Sequence, residues 1–168
     1  PGKTCWSEDE HPGYTVAHLP LIQSLADEVR TQTSSLRQFV DIDTVPIDKR
    51  TDWYVYVGFP TFLLFAAPDR VYWYRVMPEG PERMKLLTTL LVLPEAKQMP
   101  DWDNRFAEDM KMLRAFHLED MEMCTAVQRG MHSMAYEPGP LSHLEKPLWL
   151  IQRYLARRIE ASGGPRPD

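Results

Sequence analysis

Between residues 53 and 93 the chain consists of short apolar blocks separated by turn residues. The blocks cover residues 53–59, 62–67, 70–77 and 83–93, and Pro60 and Pro68-Asp69 lie between them. Val, Tyr, Trp and Phe dominate these blocks, which favours strands over helices. Because the connections are short, consecutive strands can pair only in opposite directions. The pattern therefore predicts a four-stranded antiparallel sheet.

A helical period replaces this pattern after residue 100. Residues 101–130 are predicted to be mainly helical, and a second apolar stripe recurs at helical spacing at Leu144, Leu148, Ile151, Leu155 and Ile159. Ser142 and Glu145 have the spacing of a capping box before this stripe. Pro147 has no amide hydrogen, so the regular part of this last helix is expected to begin near it.

The first third of the chain has weaker patterns. Residues 21–29 have the spacing of a short helix, and residues 36–42 are interpreted as one more strand. Residues 1–20 are mixed and polar. Strands followed by helices that pack on one face are typical of the α+β class. We expect one domain over residues 1–161 and a disordered tail over residues 162–168, which is rich in Gly and Pro.

The composition argues against several classes of protein. The net charge of −5 argues against a nucleic-acid partner, and no apolar run is long enough to span a membrane. Cys5 and Cys124 are the two cysteines of the sequence, too few for a disulfide scaffold and typical of a reducing cytoplasm. The chain begins Pro-Gly-Lys-Thr without an initiator Met, from which we expect a fragment of a longer protein.

The candidate chemistry centres on Asp120. At helical spacing Asp120 shares one face with Leu113, His117 and Cys124. A carboxylate on an apolar face is costly to bury unless it is paired or binds a ligand. Two interpretations follow: Asp120 lies at the edge of the stripe and reaches water, or it is a metal ligand or catalytic acid.

The residues around Asp120 also resemble a known family. Glu119-Asp120 is followed by Cys124, Gln128, Arg129 and Gly130, then by Pro138-Gly139-Pro140-Leu141-Ser142 and Glu145. Upstream are Tyr54-Val55-Tyr56-Val57-Gly58-Phe59-Pro60 and Arg75-Val76-Met77-Pro78-Glu79-Gly80-Pro81-Glu82-Arg83. Together these segments resemble the catalytic domain of the alpha subunit of Rieske-type aromatic-ring-hydroxylating oxygenases. The resemblance implies a helix-grip fold of the START/SRPBCC type, with an antiparallel sheet around a long C-terminal helix.

The resemblance also implies a mononuclear Fe(II) site with two His ligands and one carboxylate, the latter being Asp120. The family's two His ligands lie near the start of the domain, and two alignments compete there. In the first, His11 and His18 are the ligands, and Glu8 is the acidic residue that bridges towards a Rieske centre. In the second, which has no gap, Thr15 and Pro20 occupy the ligand positions, and iron could not be held in the usual way.

By resemblance the protein would activate O₂ and hydroxylate an aromatic or other apolar substrate. Its electrons would come from a Rieske [2Fe-2S] cluster, supplied by a ferredoxin or reductase, in a homotrimer. Two cysteines in different parts of the chain exclude that cluster from this sequence. The alternative is a non-catalytic helix-grip domain that binds a hydrophobic ligand and has a degraded metal site.

Overall fold

The computed structural model describes residues 5–6, 11–30 and 38–164. Its strands form one six-stranded antiparallel sheet in which each strand pairs with its neighbours in the sequence. The strands are β1 (Cys5–Trp6), β2 (Tyr14–Pro20), β3 (Asp52–Gly58), β4 (Phe62–Ala67), β5 (Arg70–Pro78) and β6 (Met84–Leu91). This meander leaves one face of the sheet free to accept a helix.

Three α-helices accompany the sheet. Helix α1 is Gln23–Arg30, α2 is Trp102–Met131 and α3 is Lys146–Ala161. Short 3₁₀ turns lie at Ile47–Lys49, Pro94–Gln98 and His143–Glu145. None of the helices in the described part of the chain is both long and apolar enough to cross a membrane.

Strand register assigns each side chain to one of two faces. Trp53 contacts Phe65, Phe65 contacts Tyr72, and the Tyr72 hydroxyl reaches Asp109 of α2. These side chains define the inner face, which α2 covers. Successive strand residues alternate between the faces, so Tyr54 and Trp73 lie on the opposite, outer face.

The predicted α+β helix-grip architecture is confirmed. Strands β3 to β6, α1 and α2 begin and end within about two residues of the predicted bounds. Strand β2 was not predicted, because its sequence mixes Thr15 and His18 with apolar residues and reveals its role only by pairing with β3. The strand expected at residues 36–42 was wrong for its described part, since residues 38–42 form no strand.

The predicted capping box is confirmed, but it caps a short 3₁₀ turn rather than α3 itself. Ser142 N donates to Glu145 Oε2 at 2.7 Å, and Leu144 N donates to Ser142 Oγ at 3.3 Å. The box closes the 3₁₀ turn, and α3 begins directly after it at Lys146. Pro147 thus occupies the first turn of the helix, where its missing amide hydrogen removes no bond.

A buried charged cluster fixes α2 against the sheet. Asp69 and Arg70 are 2% and 1% exposed, and Arg70 Nη1 donates to both carboxylate oxygens of Asp69 at 2.8 Å. Asp69 Oδ2 also accepts from the backbone amides of Gln38 and Phe39, at 2.8 and 2.9 Å. These amides are consequently used by a side chain, which explains why residues 38–42 form no strand.

Removal of this buried carboxylate should be strongly destabilising. We expect Asp69→Ala to lower the free energy of unfolding by about 3 kcal/mol, because it removes one carboxylate partner of the buried Arg70 and the acceptor of two backbone amides. The matched control is Asp101→Ala, which removes an exposed pair with Arg105 at 2.6 Å and should change stability by less than about 1 kcal/mol. Urea unfolding measures both variants, and equal losses would contradict the assignment.

Candidate functional site

Helix α2 presents two acids to very different surroundings. Asp109 is fully buried, and its Oδ1 accepts the Tyr72 hydroxyl at 2.6 Å and lies 3.1 Å from Arg70 Nε. Asp120, eleven residues later, is exposed. Eleven residues make about three helical turns, so the two carboxylates point to the same side about 16 Å apart. Of the two interpretations of Asp120, the structure agrees with the one in which it lies at the edge of the stripe and reaches water, and Asp109 holds the buried position.

An aromatic cavity of about 280 Å³ lies between the inner face and α2. Its walls are Trp53, Phe65, Arg70, Tyr72, Tyr74, Met112, Leu113 and Phe116. The rings meet at angles: Trp53 and Phe65 are edge to face with centroids 5.1 Å apart, and Phe65 and Tyr72 are tilted at 6.2 Å. Such a cavity suits an apolar molecule or an organic cation.

Tyr74 connects this cavity to the segment around Asp120. It borders the cavity, and its ring meets the His117 ring edge to face at 5.4 Å. Burial raises the pKa of Tyr74 to about 12, with further contributions from the negative charges of Asp109 and Asp120. A ligand in the cavity therefore lies in the field of acids at both ends.

His18 lies away from this site. It is in β2 opposite Tyr54, on the outer face, where its ring stacks on Tyr54 at 4.9 Å. Its Nε2 lies 2.9 Å from Asp52 Oδ2. Because the sheet separates His18 from α2, the structure does not bring His18 and Asp120 together.

The first alignment also assigns His11 as an iron ligand and Glu8 as the acidic residue that bridges towards a Rieske centre. His11 is exposed, accepts a hydrogen bond from Gly13 N at Nδ1 and stacks on Tyr14 at 4.1 Å. It borders a small cavity beside α3, lined by Leu150 and Tyr154 among others. Glu8 lies outside the described residues. No three His, Cys, Asp or Glu residues in the described part of the chain are arranged to hold a metal ion.

The gapless alignment places Thr15, rather than His11 or His18, at one of the ligand positions. Thr15 is 3% exposed and pairs with Val57, on the inner face. A residue at position 15 therefore projects towards α2, whereas position 18 projects away from it. A hydroxyl group at this position makes a poor iron ligand compared with an imidazole.

A second, open groove of about 620 Å³ lies between the β5–β6 hairpin and the C-terminal half of α2. Cys124, Gln128 and Arg129, which carry part of the family resemblance, line it. His132 Nε2 lies 3.2 Å from Glu82 Oε1 across its end. These motif residues thus face the hairpin rather than the aromatic cavity.

Asp109 is the buried acid of α2 that the sequence interpretation missed. It shares the helical face of Leu113, His117 and Asp120 at steps of four, four and three, so helical spacing alone contained the signal. Asp120 was singled out because of the resemblance around it. Helical spacing shows which residues share one side of a helix. It does not show which of them the sheet covers along the helix axis.

Tyr74 reports directly on the placement of Asp120. With a pKa of about 12, its hydroxyl should stay neutral at pH 10.5, where an ordinary tyrosine with a pKa of about 10 is mostly ionised. Asp120→Asn should lower the pKa of Tyr74 part of the way towards its ordinary value, because one of the nearby negative charges is removed. Glu119→Gln, the adjacent exposed acid, is the control. Tyrosine ¹³Cζ titration, assigned with Tyr74→Phe, measures both, and an unchanged pKa in Asp120→Asn would contradict the geometry.

Comparison with known proteins agrees with the resemblance seen in the sequence. Residues 7–161 match the family model of the ring hydroxylating alpha subunit (catalytic domain). The chain is 34% identical over 74 residues to the glycine betaine monooxygenase oxygenase subunit of Chromohalobacter salexigens. It is 32% identical over 73 residues to the chloroplastic choline monooxygenase of Arabidopsis thaliana.

Each match covers 44% of this chain but 16% of the bacterial relative and 17% of the plant relative. The family model, in contrast, spans nearly the whole domain, from the segment before β2 to the end of α3. On that basis, the chain belongs to the family of ring-hydroxylating oxygenase alpha subunits and corresponds to their catalytic domain.

Proposed function

We propose that this chain holds the organic substrate of a Rieske-type oxygenase in the aromatic cavity between the inner face and α2. The observation that supports this is the position of Tyr74, which borders the cavity, contacts His117 and lies in the field of Asp120. In this family the segment around Asp120 carries the carboxylate of the iron site. A substrate in the cavity would therefore lie next to the segment expected to carry the chemistry.

We further propose that the substrate carries a methylated ammonium group. The two relatives are named for glycine betaine and choline, and both compounds contain a trimethylammonium group. Aromatic walls attract such cations through the negative faces of their rings. The negative charge of Asp120, which is felt at Tyr74, acts in the same direction. The aromatic or other apolar substrate expected from the family resemblance is the competing possibility.

The family implies a non-haem iron and, in full-length enzymes, a Rieske cluster. The described residues do not fit a complete three-ligand iron site, because His18 is on the outer face and His11 is beside α3. We retain Asp120 alone as a proposed ligand. When bound, the iron would supply the activation of O₂. An electron donor, a trimer and a cytoplasmic location stay predictions.

Binding without catalysis is the second candidate function. Two observations favour it: the described residues contain no set of three metal ligands, and Thr15 occupies an inner-face position where one alignment expects an imidazole. On this view the same cavity binds the same class of molecule, and no iron is held.

Cavity binding can be tested with a pair of tryptophans on opposite faces. Choline should bind the 168-residue chain, and Trp53→Leu should weaken binding about 3- to 30-fold, because loss of one ring from an aromatic cage removes roughly 0.5–2 kcal/mol. Trp73→Leu, which changes the same residue type on the outer face, should bind choline like the parent chain. Calorimetry measures the affinities.

Three outcomes separate the possibilities. Preference for a neutral aromatic compound such as benzene over choline would support the apolar substrate instead. Equal losses in Trp53→Leu and Trp73→Leu would place the ligand elsewhere, and binding of neither compound would contradict the proposed cavity function.

Iron uptake separates the two candidate functions. Iron taken up under anaerobic Fe(II) reconstitution should be largely lost in Asp120→Ala, because the carboxylate is a proposed ligand, and retained in Glu119→Ala. His18→Ala should also retain it, since that imidazole lies across the sheet. Metal analysis of the purified chains gives the stoichiometry.

A folded parent chain that takes up no iron would support binding without catalysis. Loss of iron in His18→Ala but not in Asp120→Ala would contradict the proposed role of Asp120.

A further inference from the structure

The buried carboxyl of Asp109 has one oxygen that no group in the described chain satisfies. Its Oδ1 accepts the Tyr72 hydroxyl and lies near Arg70 Nε. Its Oδ2 is buried and has no hydrogen-bond partner among the described residues. An ionised carboxylate that leaves a buried oxygen unpaired is expensive, whereas a protonated carboxyl carries no net charge.

The charges of Asp69, Arg70 and Asp109 also favour a protonated Asp109. The Arg70 guanidinium already has Asp69 as its partner, through two 2.8 Å hydrogen bonds from Nη1. Asp69 Oδ2 also accepts hydrogen bonds from two backbone amides. An ionised Asp109 would therefore add a second negative charge beside one positive charge in a dry environment. Burial raises the pKa of Asp109, against the opposing effects of the Tyr72 hydrogen bond and the Arg70 charge.

The charge of Asp109 is also felt in the aromatic cavity. Arg70 and Tyr72, the two side chains that contact Asp109, line the cavity, and so does Leu113 one helical turn after it. Tyr74, further along the cavity wall, has its pKa raised in part by Asp109. A change in the protonation of Asp109 therefore changes the electrostatic potential where a ligand would bind.

We infer that Asp109 is a proton-linked specificity residue of the aromatic cavity. With its proton, Asp109 adds no preference for ligand charge; when it loses the proton to solvent, it increases the preference of the cavity for cations. Binding of an organic cation and release of the Asp109 proton therefore favour each other. This inference rests on the proposed function, because it requires that the cavity binds a ligand.

Among the described residues, the other ionisable groups that face Asp109 come from the β4–β5 turn and from β5. They are Asp69 from the β4–β5 turn and Arg70, Tyr72 and Tyr74 from β5. Arginine stays protonated in proteins. Burial raises the pKa of Tyr72 well above its ordinary range and that of Tyr74 to about 12, so both phenols stay neutral near pH 7. Asp69 accepts hydrogen bonds from the Gln38 and Phe39 amides and from Arg70 Nη1.

The experiment compares choline with its uncharged carbon analogue, 3,3-dimethylbutan-1-ol, in the 168-residue chain between pH 5 and pH 8.5. Choline affinity should rise at least about fivefold with pH, the lower end of typical coupling between two sites, while the affinity of the neutral analogue stays constant. Calorimetry in two buffers with different ionisation enthalpies should show proton release with choline alone. In Asp109→Asn, which keeps the shape without the charge, choline affinity should be constant and similar to the low-pH value.

Two results would overturn the inference: choline affinity independent of pH in the parent chain, or a rise that persists in Asp109→Asn. Infrared spectroscopy provides a readout without any ligand. A carbonyl band of a protonated carboxylic acid near pH 6, absent in Asp109→Asn, supports the proton on Asp109, and its absence from the parent chain contradicts it. If the band is present but neither compound binds at any pH, the proposed cavity function fails instead. The proton-release and infrared measurements on the parent chain do not require the variant to fold.

Discussion

The buried pairing of Arg70 with Asp69 and Asp109 determines where α2 lies on the sheet. Asp69 ties the β4–β5 turn to the backbone of residues 38–39, and Arg70 extends from the first position of β5 to α2. The Arg70 guanidinium also lies over the Phe39 ring, 5.8 Å from its centroid. Buried charges of this kind tolerate few alternative arrangements, because each displaced partner would leave a desolvated charge. The helix is thus held near its N-terminal third, and its C-terminal half extends to the exposed edge that carries Asp120.

This arrangement gives the aromatic cavity two unlike ends. At one end Asp109 is dry and contacts groups that line the cavity; at the other Asp120 is open to solvent near Tyr74 and His117. Under the proposal, the protonation state of Asp109 sets the potential inside the cavity, and Asp120 is exposed at the other end. Cluster and cavity share Arg70 and Tyr72, so packing and ligand selection depend on the same residues. Mutations that loosen the cluster should therefore alter stability and binding together.

The sequence predicted the parts of the fold that have a clear period. Strands β3 to β6 and α2 follow from apolar blocks, turn residues and helical spacing. Strand β2 could not be found in this way, because Thr15 is polar yet buried and the strand is defined by its pairing with β3. Residues 38–42 include apolar side chains such as Phe39, but the Gln38 and Phe39 amides donate to Asp69 and the Ile42 amide donates to the Pro68 carbonyl. Tertiary contacts overrode local preference at both places.

Whether a residue of β2 can share an iron with Asp120 depends on the face of the sheet on which its side chain lies. Sequence spacing near the start of the chain did not determine that face. In β2 a shift of one residue moves a side chain to the other face. Thr15 and Ala17 are buried on the inner face, and His18 is stacked on Tyr54 on the outer face. A ligand that shares a metal with Asp120 has to project from the inner face or from α2 itself. Among the described residues, His117 meets this condition through its contact with Tyr74, whereas His18 does not. The gapped alignment therefore selects, in His18, an imidazole that the sheet separates from Asp120.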